Sequence, residues 1–147
     1  MPRILAVDWG ERRIGIAISD PDGILASGLP TIETRDRAAA IEAIARTVEE
    51  EGAERIVVGL PLLLSGERGE AARAAQSFAD ALAGRVPVPV DTYDERLTSA
   101  LSERRLREVG VRAGRNKPRV DQGAAIALLE SFLQRLRVMR SREEESR

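Results

Sequence analysis

The chain has 147 residues, enough for one domain with a real core and too few for two ordinary ones. Its 43% apolar and 32% charged residues are those of a globular protein, and no apolar run is long enough to cross a membrane. There is no cysteine and no histidine, which excludes disulfides, thiolate-bound zinc, a histidine base and a Ser-His-Asp triad.

The net charge of −1 hides a polarity. Residues 1–94 carry ten basic and sixteen acidic side chains, and residues 95–147 carry thirteen and eight. Every cation but Lys117 is an arginine. Frequent arginine codons explain the choice of arginine but not its position. A basic second half fits phosphate binding. The chain runs straight into an apolar strand with no leader, so a cytoplasmic location is expected.

Residues 4–20, ILAVDWGERRIGIAISD, read as two apolar strands around a polar turn. The first closes on Asp8, and a carboxylate ending a buried strand is costly unless its charge is used. Gly10 and Gly15 allow a sharp turn or a close approach. Taken alone, Asp8 could equally be a turn residue. Pro21-Asp22-Gly23 signals a second turn, and residues 24–34 read as a third strand, broken near Gly28 and Pro30 and so placed at an edge. Three strands joined by tight turns predict an antiparallel meander.

Asp36 is the predicted cap of a helix carrying Ala40, Ile41, Ile44, Ala45 and Val48 on one face and ending at Gly52. Residues 55–61 predict a central, parallel strand. A polar loop over 62–69 precedes a helix over 70–83, with Ala71, Ala74, Ala75, Phe78 and Leu82 as its apolar face. A fifth strand is predicted at 86–90, its prolines again suiting an edge. A further helix is expected from about Leu97 to Val109, then a basic loop over 111–119. The last helix is predicted over 120–138, followed by a fraying charged tail over 139–147. The chain is thus one domain over 1–138 plus that tail. Its fold class is α/β: a five-stranded mixed sheet, an antiparallel meander then parallel βα units, with helices on both faces.

Two more acids fall where elements begin or end. Glu95 follows strand five. Asp121 opens the last helix, with Ala125, Leu128 and Phe132 on its face at i+4, i+7 and i+11. Asp121 could be a helix cap and Glu95 could pair with Arg96. Three acids at element tips, with no nitrogen or sulfur ligand available, favour a hard cation such as Mg²⁺ or Mn²⁺. Trp9 and Tyr93 lie close to these acids and could stack a base, although strand-end packing is the simpler expectation.

Four stretches, ILAVDWGERRIGIAISD, IVVGLPLLLSGERGEAARAAQSFADAL, DERLTS and VDQGAAIALLESFL, occur in order, the last behind the basic loop. Together they resemble the YqgF/RuvX family of nucleases, associated with Holliday-junction resolution and with pre-16S rRNA processing. The resemblance spans Ile4 to about Leu136. It implies an RNase H-like fold and a catalytic triad at Asp8, Glu95 and Asp121. That triad is expected to hold Mg²⁺ or Mn²⁺, two ions in all. The matched positions also include Gly59 beside the site and Arg115, Lys117 and Arg119 in the basic loop.

The reading is therefore a metal-dependent phosphodiesterase. Arg104, Arg105, Arg107, Arg115, Lys117 and Arg119 are expected to hold flanking phosphates, and Gly10, Gly59 and Thr98 to shape the site. RNA is favoured as substrate, branched DNA is the alternative, no membrane partner is expected, and a monomer is favoured. Two rivals are a nucleotide-binding half of an actin-like or sugar-kinase fold and a nucleic-acid-binding factor with an inert triad. The first needs two domains to close on a nucleotide, and one domain of this length cannot.

Overall fold

The computed structural model describes residues 2–63, 65–98 and 117–146, the last stretch with side chains from Gln122 onward. Strands β1 (Ile4–Asp8), β2 (Arg13–Ser19), β3 (Ala26–Glu33), β4 (Arg55–Leu60) and β5 (Val90–Asp94) form one sheet. Its order is β3-β2-β1-β4-β5. The first three strands are antiparallel neighbours, and β4 and β5 run parallel to β1. Helices α1 (Arg37–Glu51), α2 (Glu70–Ala83) and α3 (Lys117–Glu145) cover the sheet. The fold class read from the sequence is the one observed.

Strand alternation builds two cores. Leu5, Val7, Ile14, Ile16, Ile56 and Val58 face the side covered by α1 and α2. Ile4, Ala6, Ala17 and Val57 face α3, through Ala125, Leu128, Leu129 and Phe132. By the same parity Asp8 and Gly59 lie on the α3 side. Both faces of the central strands are buried, which is why they read as continuous apolar runs. Among the described residues no helix is long and apolar enough to cross a membrane.

The local signals of α1 are realised. The Asp36 side chain accepts from Ala38 N and Ala39 N, and Gly52 closes the helix at φ 65°. Helix α2 keeps its predicted span, but its inner face is Ala72, Ala75, Phe78, Ala79 and Leu82. Ala71 is exposed and Ala74 only half-buried. An alanine-rich helix gives the period little contrast: Ala75, Phe78 and Leu82 are buried as expected, while Ala72 and Ala79 take the places expected of Ala71 and Ala74.

Four boundaries depart from the expectation. β3 begins at Ala26, and Asp20 Oδ1 accepts from Ile24 N and Leu25 N in the turn before it. β5 lies at Val90–Asp94, after the prolines and not across them. Pro87 and Pro89 have no N–H for the ladder, so pairing starts where donors resume, and β5 is an edge strand as expected. α3 starts at Lys117, so Lys117 and Arg119 belong to its first turn and not to a loop. It continues through Glu145, so residues 139–145 are helical, not frayed. That extension is exposed throughout. Arginines before glutamates along it fit a solvated helix, and no glycine or proline ends it. The helix expected from Leu97 to Val109 lies outside the described residues, apart from Leu97 and Thr98.

Candidate metal and nucleic-acid site

The parallel strands β1, β4 and β5 end at one edge of the sheet, where α/β folds commonly place ligands. Asp8 is the last residue of β1 and is fully buried. Its antiparallel partner is Gly15. On the other side, Val7 pairs with Val58, so the next step along the ladder sets Asp8 beside Gly59. The carboxylate therefore sits in a row flanked by two residues without side chains.

Glu95 fills the space on one side. It opens a 3₁₀ turn, Glu95–Leu97, directly after β5, and only 1% of it is exposed. Its side chain lies across Gly59: a Cβ there would overlap Oε1 and stand 2.9 Å from Cγ and 3.0 Å from Cδ. Thr98 closes the turn, donating its N–H (3.0 Å) and its Oγ1 hydroxyl (2.9 Å) to the Glu95 carbonyl. Thr98 thus acts on the Glu95 backbone.

Arg96, the residue after Glu95, reaches back along the chain. Its guanidinium returns to Asp94, with Nε 3.0 Å and Nη2 2.7 Å from Oδ2. The hydrogen bonds from Arg96 hold the Asp94 carboxyl below its ordinary value, against the opposing effect of burial. Arg96 also packs over Gly66, where a Cβ would be 3.3 Å from Nη1, and so ties the loop after β4 to the site edge. Sequence reasoning passes over this clamp, although opposite charges two residues apart at a strand end are a visible signal.

Asp121 falls in the second turn of α3, four residues before buried Ala125. The earlier start of the helix removes the capping alternative for it. Its side chain, like those of Lys117 and Arg119, lies outside the described residues, as do Arg104, Arg105, Arg107 and Arg115 entirely. Among the described residues no three acids form a metal-sized cluster. Asp8 and Glu95 are both set against Gly59, one beside it in the ladder and the other across it.

The neighbouring residue Gln122 is described, and sequence reasoning passes over it too. Its Nε2 donates to Leu29 O (2.8 Å), and a Cβ on Gly28 would lie 2.5 Å from its Oε1. Gly28, expected only to break a strand, is the seat that docks the start of α3 on β3. Beside it, Pro30 and Thr31 form a bulge opposite Gly15, between the Ile14–Ile32 and Ile16–Leu29 pairs.

Gly10 serves the sharp turn read from the sequence. A Cβ there would stand 2.5 Å from Arg13 O, so its close approach is to its own hairpin. Tyr93 packs as the simpler expectation has it: edge-on to Phe132 at 5.6 Å, with its hydroxyl 3.3 Å from Ser131 Oγ.

A mixed sheet of this order, with acids at its carboxyl edge, defines the RNase H-like class. Among solved structures, Thermus thermophilus RuvC in complex with a Holliday junction superposes with a TM-score of 0.57 at 18% identity, covering 91% of this chain and 96% of that one. The family profile described as RuvX, Holliday junction resolvase, matches residues 2–135. A candidate pre-16S rRNA nuclease of Chloroflexus aurantiacus is 46% identical over 97% of this chain and 93% of its own. One of Rhodococcus opacus is 48% identical over 89% and 76%. The chain belongs to the RuvX family.

Proposed function

We propose that this chain is a divalent-metal-dependent nuclease, and that it trims the 5′ end of a 16S rRNA precursor in the cytoplasm. The observation that carries the reading is the pair of buried carboxylates, Asp8 and Glu95, gathered at one sheet edge with Gly59 left bare beneath Glu95. Two carboxyl groups buried at the end of one sheet form an all-oxygen donor pair, and a cation offsets the cost of burying them. The donors are all oxygen, which fits Mg²⁺ or Mn²⁺. Asp8, Glu95 and Asp121 would hold the metal. A bound divalent ion supplies neutralisation of the phosphate and acidification of a water.

The chain's own part is positioning. β1 fixes Asp8 from both neighbouring strands. Thr98 locks the turn that carries Glu95, and Gln122 seats the turn of α3 that carries Asp121. Arginines in the 104–119 region would hold phosphates on either side of the scissile bond without reading sequence.

Asp8→Asn keeps the shape but cannot bridge cations. Cleavage of a single-stranded RNA should fall by at least about a thousandfold, with melting temperature and RNA binding in EDTA little changed. Near-normal cleavage would end the proposal. Joint replacement of Arg115, Lys117 and Arg119 by alanine should weaken binding and reduce the salt slope by about one unit for each phosphate no longer held. An unchanged slope would place the binding face elsewhere. A second reading, resolution of branched DNA, is favoured by the description of the matching family.

A further inference from the structure

Trp9 follows Asp8 but belongs to the other side of the sheet. There it packs against the core under α1 and α2, its ring 6.2 Å from that of Phe78 and tilted by 37°. It is half-buried, and it borders a cavity of about 270 Å³ whose apolar walls include Ile14, Ala40, Ala74 and Phe78. That size is at the small end of ligand pockets. The rim is polar, with Arg35, Arg37 and Ser77 among it. Arg37 Nη2 donates to Ser77 O (2.5 Å) and bridges the mouth from α1 to α2. Phe78 braces the indole, so the ring is held ready and not gained at the cost of ordering a loop.

A shallow depression shares Thr34 and Arg35 with this cavity and adds Arg12, Arg13 and Glu33. Three guanidinium groups face one carboxylate there, and that carboxylate is 3.4 Å from Arg13. Among the described residues, the cavity beside it is also lined by Asp36, whose side chain caps α1, and exposed Glu11. An aromatic-walled cavity beside a cationic depression is the combination that binds single-stranded nucleic acid: rings take bases and arginines take the backbone. A peptide side chain would use the apolar cavity and leave the guanidinium groups without phosphates.

We infer that the Trp9 cavity is a subsite for one unpaired base of the substrate strand, with the adjoining phosphates on Arg12 and Arg35. This rests on the nuclease reading and extends it. A strand whose scissile phosphate lies at Asp8 turns over the end of β1 and seats a nearby base on the far side. Because the base must be unpaired to enter, the subsite selects single-stranded substrate. Stacking is indifferent to base identity, so it adds affinity without sequence preference.

Trp9 is the only tryptophan in the chain, so its emission reports on this cavity alone. Binding of a short end-labelled single-stranded RNA is followed in EDTA by anisotropy and by tryptophan emission together, beside an abasic strand of the same length. The base-bearing RNA should quench the emission as it binds, and the abasic strand should bind more weakly without quenching. Trp9→Leu should weaken the base-bearing strand about tenfold and the abasic strand hardly at all, with Trp9→Phe restoring most of the affinity. Saturating anisotropy with unchanged emission, or equal weakening of both strands in Trp9→Leu, would overturn the subsite and leave the nuclease reading standing. Absence of binding by either strand would overturn both. Quenching by a free mononucleotide at the same concentrations would mean a separate nucleotide site and would also overturn it.

Discussion

The tightest constraint at the site is a missing atom. Gly59 gives up its Cβ to a carboxylate, and the crowding reaches Cγ and Cδ of Glu95, not only its flexible end. Because Glu95 is buried, it has little room to retreat. Gly59→Ala should therefore displace Glu95 and lower cleavage at least about tenfold, since small misplacements at a reacting centre carry large costs. Strand β4 tolerates alanine, so the melting temperature should change by only a few degrees, roughly in line with a modest overpacking. Raising Mg²⁺ should recover part of the lost rate if the damage is to metal holding. A variant with full activity would show that Glu95 does not need its present position. Asp8, Glu95 and Asp121 draw notice in the sequence only as a set, because each alone also reads as a turn, cap or ion-pair acid. From position alone the supporting residues do not. Gly59 within an apolar strand and Gln122 in a helix acquire meaning only through partners far away in sequence.

Elements are legible where local chemistry decides them. The Asp36 cap, the Gly52 terminator and the parity of β1 and β4 need no knowledge of the rest of the chain. Boundaries set by tertiary pairing are less so: β5 starts where its N–H groups meet β4, and α3 runs on past its apolar stripe because its last, solvated turns leave no apolar period. The turn after β5 carries its own titratable clamp. Pairing with Arg96 depresses the Asp94 carboxyl, so the folded chain binds fewer protons there than the unfolded chain. Its stabilisation is complete above the ordinary carboxylate value and is lost as pH falls through the folded value, which lies below 3.8. Asp94→Asn should thus be less stable than the parent at about pH 6, and the difference should shrink towards about pH 3. Urea midpoints of both proteins across that range give the answer. A gap that stays constant would show that the pair carries no stability. Because Glu95 is the next residue, the same variant should also raise the Mg²⁺ requirement for cleavage.

At the scale of the molecule the open choice is RNA against branched DNA, and symmetry is what separates the two experimentally. A four-way junction has two-fold symmetry, and resolving it takes two sites on paired subunits. A stable pair needs a seam of about 800 Å² on each partner. Among the described residues the large exposed apolar side chains fall in separate small groups. Ile24 and Leu25 lie in the β2–β3 turn, Leu63 in the loop after β4, and Leu97, Val138 and Met139 around one groove beside α3. None is a broad apolar face, and the overhanging end of α3 is polar. A single site with a subsite for an unpaired base suits one strand at a time. In competition at equal phosphate concentration and fixed salt, a single-stranded RNA carrying a precursor end should be cut at least about tenfold faster than an immobile four-way DNA junction. The mass in solution should be that of one chain. Paired symmetric nicks in the junction by a stable dimer, with the RNA left whole, would reverse the assignment. Met139→Arg, in the Leu97–Val138–Met139 groove, would then test that groove as the seam by its effect on both dimer and resolution.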